Sequence, residues 1–368
     1  MSAVRWSLML GLAAPLAAQQ FMIYVGTYTG PRSQGIYSFR FDAATGKIKP
    51  LGLAAATDNP SFLAIHPSRH FLYAVNESDN GAISAFAIDR RSGGLAFLNR
   101  VPSRGNGPCH LAVEASGKRL FAANYGSGSV AACPIAEDGR VGEDCESVQH
   151  AGSSIHPRRQ GSPHPHQTVL SPDGRFLFVP DLGLDRVFVY ATANRTLAAN
   201  GVAFTQVRPG LGPRHLAFSP DGRFAYVLHE LGSSIQVFGY DPRIGSLRPL
   251  SEVSTLRQDF TGENTAGEIE VHPGGRFVYA SNRGDDSLAV FHADAATGGL
   301  TFVQRISTRG RTPRHFAIDL TGRWLLAANQ ESDNLVLFQI DPRTGRLLST
   351  GETVSAPSPA SIVFAGRP

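Results

Sequence analysis

Cysteine is scarce in this chain: Cys109, Cys133 and Cys145 are the only three among 368 residues. That excludes a densely cross-linked scaffold, and their spacing fits no zinc site. Long apolar runs are missing too. The stretch from Trp6 to Leu12 is much shorter than the ~20 residues a membrane span needs. Basic residues outnumber acidic ones only slightly, 34 to 30, and they are scattered. No Lys/Arg cluster interleaved with aromatics marks a nucleic-acid groove. No amphipathic helix of useful length can be traced, which argues against helical bundles and helical solenoids. With 42% hydrophobic and 17% charged residues, the chain is too apolar for disorder.

The first residues, MSAVRWSLMLGLAAPLAAQQ, carry one charge, a short apolar stretch and then small residues ending at Ala17-Ala18. This layout predicts a signal peptide over 1–18 and a periplasmic or secreted protein, with a cytoplasmic location as the alternative. The remainder, 21–366, reads as a single domain. Cys133 and Cys145 flank the turn Glu137-Asp138-Gly139-Arg140. They either face each other as a disulfide across a hairpin or stand as isolated thiols; Cys109 has no partner in either case.

What fills the chain is a repeat. Short runs rich in β-branched and aromatic residues alternate with Gly, Pro, Asp and Ser turns, as antiparallel strands do. A large apolar residue marks the second strand of each copy: Tyr24, Tyr73, Phe121, Phe178, Tyr226, Tyr279 and Leu326. Seven copies at this spacing, each with about four strands, predict an all-β, seven-bladed β-propeller. The first copy lacks a first strand, and Pro359 to Phe364 resembles one in isolation. One blade is therefore expected to combine both termini, closing the ring and removing sheet edges. Two copies are lengthened, at 149–161 and 255–266, on the face where the first strands begin.

A Pro-X-X triplet leads into the first strands. Its middle positions are Ser61, Cys109, His166, Arg214, Arg314 and Ala360, with Gly267 in the sixth copy. Four residues past each marker stand Tyr28, Glu77, Tyr125, Leu182, Glu230, Arg283 and Gln330. The two sets predict adjacent rings around one mouth, with His166, Arg214, Glu230 and Arg283 together on one side. An imidazole and a carboxylate suit acid–base work on water. Two guanidiniums suit a bound anion or a developing oxyanion. Tyr28, Glu77, Tyr125, Arg314 and Gln330 are the candidate substrate-binding residues. Other features read as scaffold. His110, His215 and His315 share one triplet position, which favours hydrogen bonds between blades. Asn76, Asn124, Asn282 and Asn329 likewise share a packing position. His164 is a weaker candidate than His166, and Arg158 and Arg159 read as solvated loop charges.

Several motifs carry a family resemblance. They are Tyr24-Val25-Gly26-Thr27-Tyr28-Thr29, Pro163-His164-Pro165-His166-Gln167, Pro180-Asp181-Leu182-Gly183-Leu184-Asp185, Phe260-Thr261-Gly262-Glu263-Asn264-Thr265, Ser281-Asn282-Arg283-Gly284 and Ala328-Asn329-Gln330. On these the chain resembles the bacterial lactonases with seven-bladed propellers, typified by propeller-type 6-phosphogluconolactonases. It is also similar in fold to the fungal carboxy-muconate lactonising enzymes. The resemblance to the lactonases implies lactone hydrolysis without a cofactor, and the site of the fungal relatives, a histidine, two arginines and a glutamate with no metal, falls by motif position on His166, Arg214, Arg283 and Glu230. A small, anionic lactone is the expected partner and a monomer the expected state. Alternatives are a muconate-type cycloisomerase and a non-catalytic extracytoplasmic binding propeller. The export layout departs from a cytosolic phosphosugar substrate.

Overall fold

A computed structural model describes residues 20–193, 197 and 203–366. The expected signal peptide, 1–18, lies outside the described residues. Seven four-stranded antiparallel sheets form the seven blades of a propeller. Among the described residues the only helical element is a 3-10 turn, Gln330–Ser332, and no helix is long and apolar enough to cross a membrane.

The turns show why these residues fold as blades. In the fifth blade, Pro213–Phe218 leads into Phe224–His229 through Ser219-Pro220-Asp221-Gly222. Ser219 Oγ donates to Asp221 Oδ1, which also accepts from the Arg223 amide, while Gly222 takes a positive φ of 66°. The Asp-Gly connection further out works similarly. Asp241 Oδ1 accepts from the Arg243 amide, and the Gly245 amide donates to the Asp241 carbonyl. Gly245 also lies against Phe176 of the fourth blade, where a Cβ would come within 2.6 Å of the ring. The outer hairpin thus docks one blade on its neighbour.

The markers of the repeat form the cores between blades. All seven are at most 1% exposed. Tyr73 donates from its hydroxyl to the Gly139 carbonyl of the next blade at 3.0 Å, and Tyr279 does the same to Gly345 at 2.9 Å. These two tyrosines therefore fill an interblade gap with the ring and satisfy the polar end there. Cys133 and Cys145 form a disulfide, which removes the isolated-thiol alternative, and Cys109 is free and buried.

Both termini build the first blade as expected. Pro359–Phe364 pairs antiparallel with Gln20–Thr27, which continues to Gly35–Asp42 and Lys47–Ala56. Ile362 and Ala360 of this closing strand are 2% and 3% exposed. Deleting 359–368 should lower unfolding stability by at least about 3 kcal/mol, from the lost apolar burial and the opened ring. The urea midpoint of the whole transition should drop. A shortened chain with an unchanged midpoint would contradict this closure.

Candidate active site

The two rings exist, and local backbone geometry explains them. Arg214 sits in a register shift: Pro213 pairs with His229 and His215 with Leu228, leaving Arg214 outside the ladder. Cys109, Arg314 and Ala360 occupy the same kind of shift in their blades. A β-bulge of this type turns one side chain away from its sheet, here toward the central channel. The second ring follows from chain direction. Tyr28, Glu77, Tyr125, Glu230 and Arg283 each come one residue after a second strand ends, at Thr27, Asn76, Asn124, His229 and Asn282.

Together these residues line a cavity of about 220 Å³: Tyr28, Glu77, Cys109, Tyr125, Arg159, His166, Arg214, Glu230, Arg283 and Arg314. The expected quartet meets at one wall. Glu230, 2% exposed, accepts from Arg214 Nη1 at 2.6 Å, and Arg283 Nη2 lies 2.9 Å from the same oxygen. Arg214 Nη1 also meets His166 Nε2. Gly267 makes this possible, because Arg214 Nε donates to its carbonyl at 2.6 Å and a Cβ at 267 would strike Ser281 Oγ.

The protonation states follow from these contacts. A guanidinium has only donors, so His166 Nε2 accepts from it and the ring proton sits on Nδ1, 3.8 Å from Cys109 Sγ. Burial, and then the charge of Arg214, hold the His166 pKa well below the usual histidine value, leaving the ring neutral. Burial pushes the Glu230 carboxyl upward, but Arg283, Arg214 and Arg159 outweigh it and keep the group ionised. Arg283 is pulled down to about 9 by burial, against the opposing charge of Glu230, and stays charged at neutral pH. Burial raises the Cys109 thiol, so it remains protonated.

Across the cavity, Arg314 donates to the Tyr28 hydroxyl and Tyr28 donates to Glu77 Oε2, both at 2.7 Å; Ser61 also meets that carboxylate. Four guanidiniums and two carboxylates thus face the cavity, an excess of positive charge.

Two expectations need correction. Gln330 is half-buried at the start of the 3-10 turn and is not one of the residues lining this cavity. Its backbone keeps the bond of the other copies, the Gln330 amide donating to the Thr312 carbonyl at 2.9 Å, but like Leu182 of the fourth copy it contributes nothing to the cavity lining. Arg159 is not a solvated loop charge. From the long loop 149–161 it reaches Glu230 Oε1 at 2.5 Å and the Tyr125 hydroxyl at 3.2 Å, with its side chain 34% exposed. The long loop signalled a role on this face, but nothing in the sequence separated Arg159 from Arg158. His164 stacks on Tyr125 with ring centroids 4.4 Å apart and lies outside the cavity lining.

The scaffold residues behave as their repetition suggested. His215 and His315 flank Glu268 at 2.8 and 3.2 Å, tying the fifth, sixth and seventh blades together. His110 bonds Thr168 of the next blade. The four asparagines are fully buried and donate to backbone carbonyls of the segment that leads from the preceding blade into their own.

The comparisons with known proteins bear on this geometry. The model of the family described as "Lactonase, 7-bladed beta-propeller" matches residues 22–364. The chain belongs to the seven-bladed β-propeller lactonase family. It is 39% identical over 346 residues to a 6-phosphogluconolactonase of Bacillus subtilis, covering 94% of this chain and 98% of that one. A lactonase structure from Pseudomonas aeruginosa, described as a periplasmic gluconolactonase, superposes with a TM-score of 0.89 at 40% identity, covering 95% of this chain and all of that one. A 6-phosphogluconolactonase of Formosa agariphila is 33% identical over 306 residues, 81% of this chain and 86% of the relative.

Proposed function

We propose that this lactonase hydrolyses a sugar-type lactone, an aldonolactone, in the 220 Å³ cavity. The observation that carries the proposal is the buried carboxylate Glu230, held by Arg159, Arg214 and Arg283 beside the neutral imidazole of His166. The family relatives named for phosphorylated and unphosphorylated gluconolactones support the substrate class.

In this mechanism the lactone carbonyl oxygen enters between Arg214 and Arg283. Arg214 then turns from His166 toward the carbonyl, which frees the Nε2 lone pair. His166 takes a proton from water as the water oxygen bonds to the carbonyl carbon. The tetrahedral oxyanion forms against the guanidiniums. The ring C–O bond breaks, and His166 returns its proton to the leaving alkoxide. Glu230 fixes the arginines and offsets their repulsion. Tyr28, Glu77, Tyr125 and Arg314 provide hydroxyls and charge for the substrate's hydroxyl groups, and the excess of guanidiniums favours the negative charge that develops on the carbonyl oxygen.

Export is part of the proposal, supported by the layout of 1–18 and by the periplasmic relative.

The test is hydrolysis of a lactone panel by the purified, EDTA-treated chain in a pH-stat. The panel includes gluconolactone, its 6-phosphate, a muconolactone and an acyl homoserine lactone. Aldonolactone hydrolysis should exceed the spontaneous rate and survive chelation. Failure on every sugar lactone would overturn the proposal, and activity lost to EDTA and restored by a divalent cation would overturn the mechanism.

A further inference from the structure

Beside the catalytic cavity lies a larger groove of about 630 Å³ that hydrolysis of a single sugar ring leaves unused. The two lengthened loops build it. His156, Arg158 and Arg159 come from 149–161, and Glu263, Asn264 and Thr265 from 255–266. Arg159 and Arg283 line both spaces, so the groove is continuous with the catalytic cavity. The catalytic cavity alone is smaller than the ~300–1,000 Å³ usual for ligand sites.

The chemistry of the groove narrows its occupant. Arg159 and Arg283 are already paired with Glu230. Asn264 is spent on the loop, donating to Ser233 and accepting from the Gly284 amide. The remaining charges are Arg158 and Glu263, one of each sign. Both are exposed, and neither has an ion-pair partner among the described residues. Leu231 adds an apolar patch to the wall. An anionic substituent would be drawn to Arg158 but repelled by Glu263. A ring bearing hydroxyls uses both: it accepts from the guanidinium, donates to the carboxylate and lays its C–H face on Leu231.

We propose that this groove binds a second sugar ring, so that the preferred substrate is a glycosyl-substituted aldonolactone. The lactone ring occupies the catalytic cavity, and the glycosyl ring lies past Arg159 and Arg283 between the long loops. This rests on the lactonase reading above and adds a specificity site to it.

The experiment compares kcat/KM of the full chain for gluconolactone, gluconolactone 6-phosphate, and the lactones of cellobionic and maltobionic acids. At least one disaccharide lactone should be preferred by about tenfold or more, mainly through a lower KM, as expected for binding shared by ground and transition states. Arg158→Ala and Glu263→Ala, both at exposed positions, should each reduce that preference several-fold. Equal kcat/KM for one-ring and two-ring lactones, or rejection of the two-ring lactones, overturns the proposal while the lactonase reading stands. Preference for the 6-phosphate that Arg158→Ala abolishes assigns the groove to an anion and also overturns it. Hydrolysis of none of the lactones overturns the lactonase reading itself, and the groove proposal falls with it.

Discussion

Glu230→Gln should lower kcat for aldonolactone hydrolysis by about 10²- to 10⁴-fold, the range for loss of a group that organises acid–base and oxyanion chemistry. Glutamine keeps the shape of the side chain but not its charge. Arg159, Arg214 and Arg283 all converge on this carboxylate. Without it, three guanidiniums repel one another, and Arg214 loses one of its three partners, keeping the Gly267 carbonyl and His166. The variant should also be less stable, because removing one partner of a buried ion pair costs about 3–5 kcal/mol. That difference has a pH signature. Glu230 is depressed in the folded state, so its contribution is present above the unfolded value of about 4.3 and fades as pH falls below it. The stability gap between the two proteins should therefore be widest at neutral pH and shrink on acidification. Steady-state rates and urea midpoints at several pH values check both parts. Normal turnover in Glu230→Gln would remove this residue from the mechanism.

His166→Ala should cost about 10²- to 10⁴-fold in kcat by removing the proposed base. The protein should fold, since the ring is neutral and leaves no unpaired buried charge. Two further readouts separate a base from a packing residue. Added imidazole should restore part of the rate to the alanine variant. In the parent enzyme, kcat/KM should show no acid limb near pH 6.5, because burial and Arg214 keep His166 from taking a proton until well below that value. A limb at the ordinary histidine value, lost in His166→Ala, would mean that the imidazole is not held neutral.

The scaffold was almost entirely legible in the sequence, for a physical reason. A blade cannot bury its faces alone, so each must repeat the same marker aromatic, turn and hairpin. Tyr73 and Tyr279 even make equivalent hydrogen bonds to the next blade. The quartet was legible by contrast: His166, Arg214, Glu230 and Arg283 stand at positions whose residue type changes from copy to copy, while the markers and turns around them are kept. Arg159 was not, because the long loop lies outside the repeated strands and turns and hence has no register to place a side chain. Gln330 shows the converse error. Its backbone position in the repeat was right, with its amide on the Thr312 carbonyl as the equivalent amides of other copies are placed, but its side chain does not line the cavity.

The bulge at the start of the first strands has a consequence for how such sites change. Arg214, Cys109, Arg314 and Ala360 hold the same socket, each bypassed by its ladder. Their identities range from methyl to guanidinium while the pairing on either side stays in register. Replacement there alters the wall of the cavity without asking the sheet to move. The backbone thus leaves each slot free to change, and what limits new chemistry at the channel mouth is the pairing of the side chains across it.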